Sequence, residues 1–319
     1  MTPGDGRLLV IAGTTASGKS ALALRAALAL GGEIVSADSA AIYRGLEIGT
    51  GKPGPEQRAL VPHHCLDLRE PGAPFSVAEY REAALQAVRD CLRRGVVPLL
   101  VGGSGMYVRR VLERCAPPPV APDPALRAEL ERRPAADLHA ELGRVDPASA
   151  ARLPPGDRRR VIRALEVHRA TGLPLSAFLP PPGVRPPRRR HALLILDRPP
   201  EVLRRRIAER VDRMLEEGLV EEVAGLLRAG VPPSAQSLQA LGYRHVVTHL
   251  RQGGTAAELR AAIIADTVRF AKRQRTWFRA EPDAVWLDLG ETASEAALSQ
   301  VVEWWRDGTG PVERRPGRA

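Results

Sequence analysis

The stretch LLVIAGTTASGKSALAL, from Leu8 to Leu24, constrains the fold more than any other part of the chain. An apolar run enters Gly13, the turn closes on Gly18-Lys19-Ser20, and a helical apolar pattern follows at once. Gly13, Thr14, Thr15, Ala16, Ser17, Gly18, Lys19 and Ser20 match G-x-x-x-x-G-K-[ST] in full. Glycines in such a turn let several backbone N–H groups converge, with a helix N-terminus, on one anion; the lysine adds a full positive charge. The terminal hydroxyl is placed to hold Mg²⁺. A strand before the turn and a helix after it give the motif its context, so phosphate binding on a parallel sheet is expected.

The rest of the chain fits that architecture. The β-like runs RLLVIAG, GEIVSAD, VVPLLVGG, HALLILD and AVWLDLG alternate with amphipathic or Ala/Leu/Arg-rich segments, which argues for parallel βαβ units with helices on both faces. Between Pro117 and Pro187 proline clusters (APPPVAPDP, LPPGD, LPPPGVRPP) separate helical stretches and no β-like run occurs. The expected fold is therefore α/β: a P-loop NTPase-like parallel sheet flanked by helices, with an inserted all-helical domain and a helical C-terminal part. Its boundaries would be 1–116 for the first part of the core, 117–187 for the insertion, 188–308 for the core continuation, and 309–319 for a disordered basic tail.

No apolar run approaches the roughly 20 residues a bilayer span needs, and no secretory segment precedes the first strand, so a soluble, cytoplasmic protein is expected. Cys65, Cys91 and Cys115 are odd in number and far apart, which supports neither a disulfide framework nor a paired zinc site. Adjacent imidazoles in an extended chain point opposite ways, so His63 and His64 suit packing or backbone bonding better than a shared metal. Against 37 acidic residues stand 47 basic ones, nearly all arginine, for a net +10. That excess suits a polyanionic partner, although GC-rich coding also inflates arginine.

Three further stretches could carry chemistry. SADSAAIYRGLEIGTGKP runs from Ser36 to Pro53 and puts Asp38 at the carboxyl end of the second strand, where open parallel sheets present groups to ligands. Spacing leaves capping and catalysis both open for that carboxylate. The next strand ends in Gly102-Gly103-Ser104-Gly105, either a second close-approach turn with a hydroxyl donor or a plain βα turn. Basic residues cluster at Arg158, Arg159, Arg160 and Arg163, at Arg185 with Arg188 to Arg190, and in VRFAKRQRTWFR. In that last helix Arg269, Lys272, Arg273, Thr276 and Arg279 share one side, and Ile263, Phe270 and Trp277 another. Each cluster alone reads as a solvated face; together, beside a phosphate-binding turn, they suit a phosphodiester backbone.

With these residues in hand, the chain resembles the tRNA dimethylallyltransferases, P-loop enzymes that prenylate the adenosine beside the anticodon. GTTASGKSALA, DSAAIYRGLEIGTGKP, PHHCLDL, VGGSGMYVRRVLE, DRRRVIRALEV, RVDRMLEEGLVEEV, LGYRH and AKRQRTWFR stand in the family's order from about Leu8 to Asp288. The resemblance implies that the turn and Arg210 hold the diphosphate of dimethylallyl diphosphate while the adenine N6 amine attacks the allylic carbon, in tRNAs that read codons beginning with U. It implies Asp38, Ser104 and Lys19 as catalytic groups, with Mg²⁺ near Ser20. It implies tRNA contacts at Asp38, Ser39, Ala40, Ala41, Ser104, Arg127, Arg159, Arg160, Val161, Ile162, Arg163, Lys272, Arg273, Gln274 and Trp277, and an insertion that closes over the anticodon loop. A monomer is expected. Where the family commonly has Gln, this chain has Ala41, which has no side chain to read a base; Ser104 stands where the family usually has Thr. A small-molecule or nucleotide kinase is the main rival reading, since the same turn serves phosphoryl transfer. A free-adenylate prenyltransferase and a non-catalytic RNA-binding P-loop protein are the others, and the basic C-terminal helix favours tRNA.

Overall fold

Six strands, β1 (Leu8–Gly13), β2 (Gly32–Ser36), β3 (His63–His64), β4 (Val97–Gly102), β5 (His191–Asp197) and β6 (Ala284–Asp288), form one parallel sheet in the order β3-β2-β4-β1-β5-β6. The five β-like runs are all strands. The sixth, β3, is a two-residue edge too short to show a period. Residues 7–114, 118, 120, 123–180, 188–290 and 295–307 are described by this computed structural model. Cys115, Arg185, the tail at 309–319 and most of both proline hinges lie outside them.

Every residue of β1 is buried, as a central parallel strand covered on both faces must be. It pairs with β4 on one side (Ala12 opposite Gly102) and β5 on the other (Gly13 opposite Leu196). The chain fills the β2 side first and crosses to β5 afterwards, so the order reverses at β1 and a crevice opens at its carboxyl end. Around the sheet run α1 (Lys19–Leu30), α2 (Pro55–Leu60), α3 (Val77–Arg93) and α4 (Gly105–Leu112). Next in sequence come α5 (Pro124–Glu131), α6 (Ala135–Val145), α7 (Pro147–Ala150) and α8 (Arg158–Thr171). After β5 follow α9 (Pro200–Glu216), α10 (Leu219–Arg228), α11 (Tyr243–Gln252), α12 (Ala256–Arg279) and α13 (Glu295–Asp307). Alternate strand residues feed two cores. Val10, Val35, Leu100 and Leu193 join Tyr80, Val108, Val246, Ile263 and Phe278 on one face; Leu9, Ile34, Leu99 and Leu194 join Leu22, Ala26, Val301 and Trp304 on the other. Capping boxes at Ser76 and Thr255 fix the starts of α3 and α12.

The chain divides into two compact units, Met1–Leu112 with Arg189–Ala319, and Glu113–Arg188. Among its described residues the second carries helices and no strand. Its α5, α6 and α8 close on Leu130, Leu138, Leu142, Val161, Ile162, Ala164 and Leu165. Val161 and Ile162, expected to touch RNA, are thus core residues, because a helix turning 100° per residue cannot face Arg159 to Arg163 one way. Arg127 and Arg163 also point inward. Glu166, buried, receives Arg127 at 2.9 Å on both oxygens and Arg163 at 2.5 Å, and Arg158 donates to the Glu131 and Arg133 carbonyls. Burial pushes the Glu166 carboxyl up, but these bonds outweigh it and hold the group below its ordinary range. Arg159 and Arg160 remain exposed.

At the sheet edge, His63 Nδ1 lies 2.7 Å from the Val61 carbonyl oxygen, and His64 Nε2 lies 2.7 Å from Glu33 Oε2. Arg94 forks onto both Glu33 oxygens at 2.6 Å, and the Cys91 thiol donates to the same carboxylate. Glu33, His64 and Cys91 could in principle gather a cation. Arg94 already balances that charge, and burial above all pushes the Cys91 thiol up to about 12, so the cluster reads as a structural clasp. Among the described residues no helix is long and apolar enough to cross a membrane.

Candidate active site

The turn after β1 is built by backbone conformations few residues accept. Gly13 has φ +144°, and a Cβ there would overlap the Leu196 carbonyl; Ala16 and Gly18 lie in the left-handed region at φ +61° and +96°. Holding alanine there costs on the order of 1 kcal/mol. Side chains from distant segments stabilise it. Arg198, buried, donates Nε to the Ser17 carbonyl and a terminal nitrogen to Gly290, both at 2.8 Å. Arg206 donates to the Ala16 carbonyl at 3.0 Å. Arg210 reaches Thr15 Oγ1 at 3.3 Å and the Thr50 carbonyl at 3.0 Å. The family resemblance implies a role for Arg210 and is silent on the other two. A signal existed: Arg198 directly follows a strand's carboxyl end, and Arg206 and Arg210 are four apart on α9.

Lys19 opens α1, and its Nζ donates to the Thr14 carbonyl at 3.2 Å. Burial first, then the Arg210 charge, push its ammonium down from the ordinary 10.5 to about 8, while Asp38 pulls the other way. Burial also lowers Arg210, again against Asp38. These cations crowd one crevice with Asp38 as the counter-charge acting on both, an arrangement that favours an incoming anion. The Thr14 and Ser17 hydroxyls are buried without a partner among the described residues. Ser20 stands exposed on the first turn of α1.

Asp38 caps and faces the site at once. Its Oδ1 accepts from the Ala40 and Ala41 N–H groups at 2.8 and 3.3 Å, while Oδ2 takes no hydrogen bond among the described residues. Ser39 is exposed and Ala40 half-buried, whereas Ala41, expected among the RNA contacts, is buried. The turn after β4 lies against this one. Ser104 donates its N–H to the Ala37 carbonyl at 3.2 Å and accepts the Ser39 N–H on Oγ at 3.1 Å; a Cβ on Gly102 would overlap the Ala37 carbonyl.

Helix α12 has two faces. Arg269, Lys272, Arg273, Thr276 and Arg279 are exposed as expected, whereas the buried stripe runs through Leu259, Ile263, Thr267, Ala271, Gln274 and Phe278. Phe270 and Trp277 flank that stripe half-buried, under the Arg273 and Arg109 guanidiniums at 5.8 and 4.4 Å. Gln274, expected among the RNA contacts, is buried instead. Its Oε1 accepts from the Thr15 N–H at 2.8 Å and its Nε2 donates to the Gly103 carbonyl at 2.9 Å. The stretch AKRQ shows a polar residue in a basic run, and only the helix phase reveals which way it points.

A family model described as IPP transferase matches residues 41–281. The tRNA dimethylallyltransferase 1 of Trichlorobacter lovleyi is 47% identical over 292 residues, covering 90% of this chain and 95% of that protein. The tRNA dimethylallyltransferase of Symbiobacterium thermophilum is 45% identical over 316 residues, covering 98% of each. Among solved structures, the full-length tRNA isopentenylpyrophosphate transferase of Bacillus halodurans superposes with TM-score 0.72 at 34% identity, over 95% of this chain and 96% of that one. A eukaryotic dimethylallyltransferase acting on tRNA gives TM-score 0.83 at 25% identity, over 97% and 81%. The matched span and identities this high along nearly whole chains carry one conclusion: this chain belongs to the IPP transferase family.

Proposed function

We propose that the protein transfers a dimethylallyl group from dimethylallyl diphosphate to the N6 amine of the adenosine beside the anticodon in tRNA, releasing diphosphate. The observation that carries the reading is the meeting of a cation-rich phosphate turn (Lys19, Arg210) with a free carboxylate oxygen on Asp38 and the Ser104 hydroxyl. The relatives are named for the same transfer.

The adenine amine is a weak nucleophile because its lone pair is delocalised into the ring, and an unshielded diphosphate leaves reluctantly. As N6 bonds to the allylic carbon, the carbon–oxygen bond breaks, its electron pair goes to diphosphate, and Asp38 Oδ2 takes the N6 proton. Lys19 and the amides of the turn stabilise the charge on the departing oxygen; the Arg198 and Arg206 bonds keep those amides preorganised. Ser104 orients the base and diphosphate from the adjoining turn. A magnesium ion fits beside the turn, where the Ser20 hydroxyl is exposed next to Lys19. When bound, Mg²⁺ would be held by Ser20 and would neutralise diphosphate charge, leaving Asp38 Oδ2 to the N6 proton. The exposed face of α12, with Arg159 and Arg160, supplies cations for RNA phosphates, and splayed loop bases suit single-stranded recognition.

Asp38→Asn tests this better than alanine, because Asn keeps an acceptor for the Ala40 and Ala41 amides and removes only the base. Single-turnover transfer to tRNA should fall roughly 10²- to 10⁴-fold with tRNA affinity unchanged; near-normal transfer would refute the assignment. Mass analysis of nucleosides from treated tRNA should show dimethylallyladenosine, and phosphate transfer from ATP in its place would favour a kinase.

A further inference from the structure

We infer that Gln274 is a positioning residue for the transfer step, setting the separation between the turn that grips the donor and the turn that carries Ser104; the inference rests on the activity proposed above. Among the described residues its amide is the one side chain that bonds both turns. The acceptor end takes the Thr15 N–H at 2.8 Å and the donor end gives to the Gly103 carbonyl at 2.9 Å. These bonds span 259 and 171 residues of sequence. The fit is tight on the far side: a Cβ on Gly103 would overlap Gln274 Nε2 and come within 3.3 Å of the Gly13 carbonyl oxygen.

The bonded path continues in both directions. Thr15 immediately precedes the left-handed Ala16, and its hydroxyl is held by Arg210. Gly103 immediately precedes Ser104, whose Oγ accepts the Ser39 N–H and whose own N–H meets Ala37, the residue before Asp38. A chain of hydrogen bonds thus runs from the phosphate turn through Gln274 and Ser104 to the turn capped by Asp38. The Thr15 N–H is also withdrawn from the diphosphate, so Gln274 decides which amides of the turn face the donor. Because reaction geometry degrades steeply with displacement near 1 Å, a lost clamp should act on the chemical step more than on binding.

Glutamine suits the place because it presents an acceptor and a donor at fixed spacing. Methionine matches its length with neither. Glutamate can accept from Thr15, but when ionised it sets a carboxylate against the Gly103 carbonyl; protonated, it restores the donor. Gln274→Met, Gln274→Glu and Gly103→Ala would be compared with wild type for single-turnover prenyl transfer, tRNA affinity, donor affinity and circular dichroism. The expected result is roughly a 10- to 100-fold loss of transfer for Gln274→Met and Gly103→Ala, with both affinities within about three-fold and the fold retained. Burial and the facing Gly103 carbonyl would raise a carboxyl at this place well above its ordinary range, so the Gln274→Glu to wild-type ratio should rise at least roughly five-fold as pH falls from about 8 to about 6, as the protonated acid recovers the missing donor. The wild-type arm reports on the activity and the ratios on the clamp. Normal transfer by Gln274→Met overturns the inference. So does a loss confined to tRNA affinity, with Gln274→Glu worsened by charge at every pH, since that pattern belongs to an RNA contact.

Discussion

Lys19 offers the sharpest test of the phosphate turn, because its charge is unusually easy to remove. Its ammonium is pushed down from the ordinary 10.5 to about 8, by burial and by Arg210. The sign follows from the linkage of protonation to folding. The unfolded chain holds that proton up to about 10.5 and the folded one only to about 8, so the lysine destabilises the fold below pH 8 by roughly 3 kcal/mol. Stability should recover by about 1.4 kcal/mol per unit between those values. Diphosphate binding runs the other way. An anion in the turn favours the charged lysine, so the donor should bind best below pH 8 and lose about ten-fold in kcat/KM for each unit above it. Near pH 8, binding should take up about half a proton per site, readable by calorimetry in buffers of different ionisation enthalpy. Lys19→Arg should weaken the site, since a guanidinium does not overlay an ammonium, and should abolish both the proton uptake and the alkaline fall. A wild-type profile flat to pH 10, or an unchanged fall in Lys19→Arg, would refute the assignment of Lys19 to the diphosphate.

Other predictions follow from side chains the fold has spoken for. Glu166→Ala should leave the Arg127 and Arg163 charges facing a vacated buried site and destabilise the helical insertion by about 3 kcal/mol, seen as a lower denaturant midpoint. Arg159→Ala should leave stability within about 0.5 kcal/mol and reduce the salt dependence of tRNA binding by about one counterion, measured by filter binding across a salt series. Arg198→Met removes the donor to the Ser17 carbonyl, and donor KM should rise by roughly ten-fold or more with tRNA affinity unchanged in the same assays.

The sheet and phosphate turn were legible because each rests on local signals: short apolar runs of strand length, and glycines at fixed spacing before a helix. So was the basic face of α12, whose exposed residues follow the helical period. What stayed hidden depended on helix phase against a partner. Val161 and Ile162 sit inside an arginine-rich run and were grouped with it, yet the core of the insertion claims both. Gln274 is polar and lies among cations, and nothing local says that it meets two loops 259 and 171 residues away. Arg198 and Arg206 are hidden in a general excess of arginine, where composition does not mark which side chains turn inward. Strand β3 was invisible because two residues show no period.

That excess means less than its sum. A net +10 invites the view that the whole surface is an RNA footprint, but many of the arginines are committed inside the protein. Arg94 holds Glu33, Arg109 holds Glu281, Arg127 and Arg163 hold Glu166, Arg275 holds Asp197, and Arg198 and Arg206 brace the carbonyls of the phosphate turn. A guanidinium with its donors occupied has little to offer a phosphodiester, and withdrawing it exposes a buried carboxylate or carbonyl. The cations available to a polyanion are those exposed without an ion-pair partner among the described residues, including Arg159, Lys272, Arg273 and Arg279. Three of these four lie on α12, the helix whose inner face carries Gln274 to the phosphate turn. The surface suited to the RNA and the support of the donor site are therefore opposite sides of one rigid element, so a shift of that helix on tRNA binding would be felt at Thr15 and Gly103 together.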